Sequence, residues 1–208
     1  MRLIGISGLK TSGKDTTAKA IAQALPDLRV RRVAFADKLK ELTALTFGYE
    51  DELIEIMDDA KENWNLLCFH GDGGDELFTI SGRAILQNIG QGARKVFTSN
   101  FWVDMVLPAP VPTGFGGNYS GTLEERYPDT DVLCVTDVRY PNEADRVHEL
   151  GGEIWQIVRP GLESDGHSSE IPLPPDKVDL SIFNGNSIEQ LYDVIEEVLA
   201  GNVHPQCA

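Results

Sequence analysis

The segment Gly8–Thr17, GLKTSGKDTT, constrains this chain more than any other. Before it, Arg2–Ile6 carries Leu3, Ile4 and Ile6, a short buried strand. After it, Lys14–Leu25 places Ala18, Ile21, Ala22 and Leu25 at helical spacing and stops at Pro26. Strand, glycine loop and helix in that order specify a phosphate-binding loop over Gly8–Thr16, with Lys10 and Ser12 inside it. Gly8 and Gly13 let successive backbone N–H groups turn inward, and the helix start adds its positive dipole end. Lys14 supplies a full charge to the β and γ phosphates.

One position breaks the pattern G-x-x-x-x-G-K-[ST]. Asp15 stands where a hydroxyl normally holds Mg²⁺, and the first hydroxyl, Thr16, comes one residue late, about 100° further round an ideal helix. An acid in the first turn suits the helix dipole and can cap an N–H. Beside a triphosphate it is repelled unless a cation intervenes. Either Asp15 faces Mg²⁺, directly or through water, or Thr16 supplies the hydroxyl; both readings stay open.

The remaining pattern alternates strands with helices. Arg31–Phe35 reads as a second strand, and Asp37 as the cap of a helix through Thr46 that stops at Gly48. An acidic helix is predicted over Glu50–Asp59. The stretch from Glu62 to Phe78 loses periodicity around a glycine cluster and reads as a mobile connection. Ser81 caps a long helix with Ile85, Leu86, Ile89, Ala93 and Val96 on its buried side, and Asn100–Val106 forms a short one. Pro108–Asp131, rich in proline and glycine, is predicted as a long loop, either a surface insertion or a substrate lid. Then come a central strand at Val132–Thr136, a helix at Pro141–Leu150, strands at Glu153–Val158 and Val178–Phe183, and a final helix at Ser187–Leu199. The predicted fold is α/β, a mainly parallel sheet sandwiched between helices. Ligands in such sheets sit at the carboxyl ends of the strands, where Gly8–Thr16, Asp137 and Arg159 all fall.

With 208 residues the chain fits one domain, long enough to bury roughly 70% of its unfolded surface without a staple. Cys68, Cys134 and Cys207 form neither a disulfide framework nor a zinc pattern, which fits a reducing cytoplasm. The apolar run at the amino terminus is too short for a signal-peptide core, and no run of about 18 apolar residues predicts a membrane span. A net charge of −15 repels polymeric nucleic acid, whereas a small phosphorylated ligand needs only a few gathered cations.

Taken together, GLKTSGKDTT, FADKLKE, SGRAILQNIGQGAR, FWVDM, TDVRYPNEA, HSSE and IFNGNSIEQL resemble the deoxynucleoside monophosphate kinases of large DNA bacteriophages, in order from the amino terminus to the last helix. Pro108–Asp131 is the main interruption. GKD is ordinary in that family. The resemblance implies a P-loop kinase fold, a three-layer sandwich with a helical acceptor-binding region at about 50–106. It implies transfer of a phosphoryl group from ATP, with Mg²⁺, to a deoxynucleoside monophosphate, in the host cytoplasm where such an enzyme is phage-encoded. This chemistry needs positioning and charge neutralisation and no covalent nucleophile.

Several side chains suit those tasks. Arg83, Gln87 and Arg94 fall on one stripe of the long helix and suit capture of the acceptor monophosphate; the bland alternative is a solvated face with ion pairs. Asp137 occupies the place of a metal-associated acid at the end of the central strand, and Arg139 suits a phosphate clamp. Asn142 and Glu143 suit orientation of base or sugar. The same segment also reads as a helix start capped by Asp137. Arg159 lies at the height of the nucleotide, Glu170 in HSSE is a candidate acceptor contact, and Lys10 is an additional cation for the transferred phosphate. His167 enters only by proximity. Trp102 and Trp155 stack on a base or pack in the core. A kinase of another phosphorylated acceptor, such as phosphomevalonate or dephospho-coenzyme A, would share the donor half, and a non-catalytic nucleotide-binding module remains an alternative. No N-K-x-D motif supports a GTPase. Pairing with a second copy stays open.

Overall fold

Strands such as RLIGIS and VLCVTDV, with almost no polar alternation, are stable only when both faces are covered. A computed structural model describes residues 1–48, 53–63, 67–70, 77–109, 121–162 and 171–201. The chain forms β1 (Arg2–Ser7), α1 (Lys14–Ala24), β2 (Val30–Val33), α2 (Phe35–Thr46), α3 (Leu53–Asn63), β3 (Leu67–His70), β4 (Leu77–Ile80), α4 (Gly82–Val96), α5 (Phe101–Val106), α6 (Leu123–Arg126), β5 (Val132–Val138), α7 (Pro141–Glu149), β6 (Glu153–Val158), β7 (Leu180–Phe183) and α8 (Ile188–Leu199). Two compact units result: Met1–Phe35 with Val103–Ala208, and Ala36–Trp102.

In the first unit five strands pair in the order β2-β5-β1-β6-β7, every pairing parallel. Side chains alternate across β1. Ile4 and Ile6 join Ala18 and Ile21 of α1, Leu191 and Ile195 of α8, and Trp155 in one buried cluster. On the opposite face a Cβ added to Gly5 would meet Ile154, Val138 and Val147, the last from α7. Helices therefore cover both faces of the sheet, giving the predicted three layers. β1 lies between β5 and β6: β2 and β5 stand on one side of it, and the chain then crosses from β5 to β6 on the other. A crevice opens at the carboxyl ends of strands at such a switch point, and the glycine loop follows β1 there.

The second unit packs Ala44 of α2, Met57 of α3 and Leu86 of α4, with Leu39 against them. β3 and β4 form an antiparallel hairpin. Ser81 caps α4 by accepting a hydrogen bond from the Ala84 N–H at 3.2 Å.

Several predicted boundaries are corrected. The second strand stops at Val33 instead of Phe35, because the Phe35 N–H donates to Asp137 Oδ1 at 2.8 Å and opens α2 there. Asp37 consequently sits inside the first turn and is not its cap. The hairpin β3–β4 occupies part of the stretch read as a mobile connection. Val96, the last residue of α4, is 74% exposed and does not join the buried side. A 3-10 turn at Pro175–Lys177 takes up the chain before β7, which begins at Leu180. Within Pro108–Asp131, residues 110–120 lie outside the described residues, but Thr122 caps α6 in a capping box, and Leu123 and Tyr127 are buried. No helix among the described residues is long and apolar enough to cross a membrane.

Candidate active site

The loop after β1 is held in a conformation most residues resist. Gly8 and Gly13 have φ of 145° and 108°, and Thr11, at 62°, is the one non-glycine residue with positive φ among those described. A β-branched residue there costs on the order of 1–3 kcal/mol and persists only when its surroundings impose it. Two distant side chains do so. Arg159 Nη1 donates to Thr11 O at 3.1 Å, and Asn184 Nδ2 donates to Ser12 O at 2.7 Å. Because a peptide unit is planar, fixing the Ser12 carbonyl also fixes the direction of the Gly13 N–H. A larger residue at Gly13 would be strained at this φ, and its Cβ, 2.6 Å from Asn184 Nδ2, would displace the amide that holds the Ser12 carbonyl.

Lys14 is 8% exposed and donates through Nζ to Gly8 O at 2.8 Å and Leu9 O at 2.6 Å. Its charge is thus held against the loop it would serve. Lys14, Asp15, Thr16, Arg159 and Asn184 line a cavity of about 320 Å³, with Ile188 and Leu191 as its apolar part. The buried Ser12 Oγ beneath the loop has no hydrogen-bond partner. Lys10 is exposed at the loop tip. Two cations, a main-chain cradle and an apolar flank suit a polyphosphate attached to a planar group.

Both metal candidates face this cavity. Asp15 is exposed and pairs with Arg32 of β2, whose Nη2 and Nε lie 3.2 and 3.3 Å from Oδ1. Thr16 is half-buried, whereas the next hydroxyl, Thr17 Oγ1, is spent on Gly13 O at 3.0 Å. Among the described residues no three His, Cys, Asp or Glu side chains gather into a metal cage. Mg²⁺ keeps most of its waters and rides on nucleotide phosphates, so one or two protein oxygens suffice. Asp15 and Thr16 meet that requirement.

The segment after β5 is arranged differently from expectation. Asp137, read as metal-associated, gives Oδ1 to the start of α2. Glu143 is 3% exposed, and its Oε2 accepts from the N–H groups of Arg139 at 2.7 Å and Tyr140 at 3.0 Å. A carboxylate consumed in this way closes the turn into α7 and is not available to orient a base or sugar. It does fix the backbone from which Arg139 projects. Arg139 and Asn142 are half-buried and stand outside the cavity wall.

On α4, Arg83, Gln87 and Arg94 share one face as the spacing requires, all half-buried. Arg94 Nη1 donates to Ser99 O at 2.8 Å. Trp102 is corrected: it is 4% exposed and donates Nε1 to Gly90 O at 2.9 Å, so it packs the second unit and offers no stacking surface. Trp155 is wholly buried in the sheet core. His167 and Glu170 lie outside the described residues. Sequence reasoning missed Asn184 and Arg32. Asn184 stood in the quoted IFNGN stretch directly after a strand, a turn position with a polar side chain, but nothing in spacing reveals a contact 172 residues away.

Comparisons with known proteins point to one family. The family described as Deoxynucleotide monophosphate kinase matches residues 78–195. A provisionally named deoxynucleotide monophosphate kinase of Acanthamoeba polyphaga mimivirus is 31% identical over 199 residues, covering 94% of each chain. The deoxynucleotide monophosphate kinase of Escherichia phage RB69 is 26% identical, covering 96% of this chain and all of its own. A solved sugar kinase from Janibacter sp. HTCC2649 aligns over 96% of this chain and 95% of its own at 14% identity and a TM-score of 0.40, too loose a likeness to carry weight.

Proposed function

This chain belongs to the deoxynucleotide monophosphate kinase family, and on that premise we propose that the cavity beside Lys14 holds ATP with Mg²⁺ as phosphoryl donor. The observation that carries this reading is the convergence of Lys14, Thr16 and Arg159 on one cavity beneath a loop held at positive φ. Phosphoryl transfer spreads negative charge over the moving group, and fixed cations stabilise it without covalent help. On this reading Lys14 leaves the Gly8 and Leu9 carbonyls for the phosphates. Lys10 reaches the transferred group from the loop tip. Main-chain N–H groups around Ser12 and Gly13 hold the rest. Mg²⁺ supplies further neutralisation, held by Asp15 or Thr16.

Arg83, Gln87 and Arg94 are the proposed grip on the acceptor monophosphate, with Arg139, Asn142 and Glu170 as further contacts. Arg159 has a double part, bracing Thr11 and offering its remaining N–H groups to the moving phosphoryl. Asp137 acts indirectly, by fixing the start of α2. The product is a deoxynucleoside diphosphate for DNA synthesis, as the viral sources of the relatives suggest, and the reaction takes place in cytoplasm. Buried Cys134, its thiol pushed up to about 12 by burial, is suited to inertness there.

The test is ADP production from ATP and Mg²⁺ with a panel of deoxynucleoside monophosphates, alongside phosphomevalonate and dephospho-coenzyme A. Turnover with at least one deoxynucleotide is expected. Turnover confined to another acceptor would refute the acceptor assignment while leaving the donor site intact.

A further inference from the structure

An acid in the first turn of α1 is the one departure of this loop from its usual pattern, and it faces the same cavity as Lys14. Uncompensated, its charge would oppose a triphosphate. Arg32 compensates it. This arginine extends from β2, the strand at the edge of the sheet, and both Nη2 and Nε converge on Asp15 Oδ1. We infer that Arg32 is a positioning residue for the donor site, which neutralises Asp15 and holds its Oδ1 so that an acid can stand beside the donor's phosphates.

The geometry sets the size of the effect. Asp15 and Arg32 have side chains 68% and 40% exposed, so their pairing contributes little to fold stability. Its consequence appears when a second anion arrives at the same helix terminus. Repulsion between Asp15 and phosphate then falls on binding, and Arg32 offsets it. The effect of an arginine acting in this way on ATP depends on the acid it neutralises. That dependence separates it from an arginine that touches the nucleotide itself, and from one that merely supports β2.

The inference rests on the donor reading above, so the experiment tests the two apart. Binding of Mg²⁺·ATP without acceptor is measured by titration calorimetry for the parent, Arg32→Ala, Arg32→Lys, Asp15→Asn, the double variant Asp15→Asn/Arg32→Ala, and Lys14→Ala, at low and high ionic strength. Steady-state KM for ATP and for a deoxynucleoside monophosphate accompanies it. Arg32→Ala is expected to weaken ATP about three- to tenfold at low salt, less at high salt, with the monophosphate KM unchanged. Arg32→Lys should keep most of the affinity. In the Asp15→Asn background, loss of Arg32 should change ATP affinity by less than about twofold, since no charge remains to neutralise. An equal loss in both backgrounds would mean that Arg32 acts on the nucleotide or on the fold, and would overturn the inference. So would unchanged binding in Arg32→Ala while Lys14→Ala loses ATP. If Lys14→Ala binds ATP like the parent, the donor reading itself fails and takes the inference with it.

Discussion

The phosphate loop and the Arg83–Arg94 stripe both gather positive charge in a strongly acidic chain, but they are assembled by opposite means. The stripe is local: helix periodicity alone puts Arg83, Gln87 and Arg94 on one face, and the Ser81 cap fixes where that helix begins. The loop is long-range. Its strained Thr11 and its Ser12 carbonyl are held by Arg159 and Asn184, from strand ends 148 and 172 residues away. A locally built surface is insensitive to changes elsewhere, whereas a loop held from a distance depends on the sheet that delivers its braces. Donor and acceptor functions should therefore fail separately.

The largest expected effect is Lys14→Ala, which removes the charge that the main-chain cradle is built around. Turnover should fall by about 10²–10³-fold or more, the scale of losing a principal electrostatic contact in the transition state. Single-turnover kinetics measure it directly. A variant that keeps a tenth or more of the parent rate would mean that the cavity lined by Lys14 is not where phosphoryl transfer draws its charge.

Next in size, Arg83→Ala and Arg94→Ala should each raise KM for the acceptor by about tenfold or more, as expected for one lost charge-assisted hydrogen bond. KM for ATP should stay put. Arg94 carries an extra condition, because it also donates to Ser99 O. If Arg94→Ala shifts both KM values while Arg83→Ala shifts one, the arginine serves the turn after α4 more than the ligand.

Asn184→Ala probes the other half of the comparison. Loss of one neutral hydrogen bond to Ser12 O should raise KM for ATP by about three- to tenfold, with the acceptor KM unchanged. Equal increases in both would show that the loop and the stripe are coupled, contrary to their separate construction.

These differences in construction also explain what could be read before the structure. Much that depends on local spacing was legible: β1, the glycine loop and α1 in order, the continuous apolar run of β5, the single face of Arg83, Gln87 and Arg94. Which partner each polar side chain takes, near or far along the chain, was not. Glu143 looked like a free carboxylate, because a side chain that folds back onto Arg139 and Tyr140 N–H groups has the same sequence signature as one that projects outward. Trp102 has the aromatic face of a base platform, yet its indole N–H is taken by Gly90 across a helix contact that periodicity does not report. Asp137 was weighed as a cap for the helix after it and proves to cap α2, the one a hundred residues before. The second strand was read two residues too long for the same reason.

The smallest effect should come from the end of the sheet away from the loop, and it separates frame from site. Asp131 stands at the start of β5, where it accepts hydrogen bonds from the Arg29 N–H at 2.8 Å, Nε at 2.9 Å and Nη2 at 3.0 Å, while its own carbonyl takes the Arg2 N–H. It thereby ties together the first residues of β1, β2 and β5. Arg29's side-chain and backbone hydrogen bonds, outweighing burial, hold the Asp131 carboxyl well below the usual carboxylate range. A group whose folded-state pKa is depressed adds stability above its unfolded value, about 3.9, and loses it as pH falls below that toward the folded value. Asp131→Asn should accordingly lower Tm at neutral pH, and the two melting curves should converge as the solution is acidified. Neither KM should move, because the strand ends carrying Arg159 and Asn184 lie at the other end of the sheet. A rise in KM for ATP in this variant would show that the braces feel the far end of the frame, and the loop would then be less independent than its hydrogen bonds indicate.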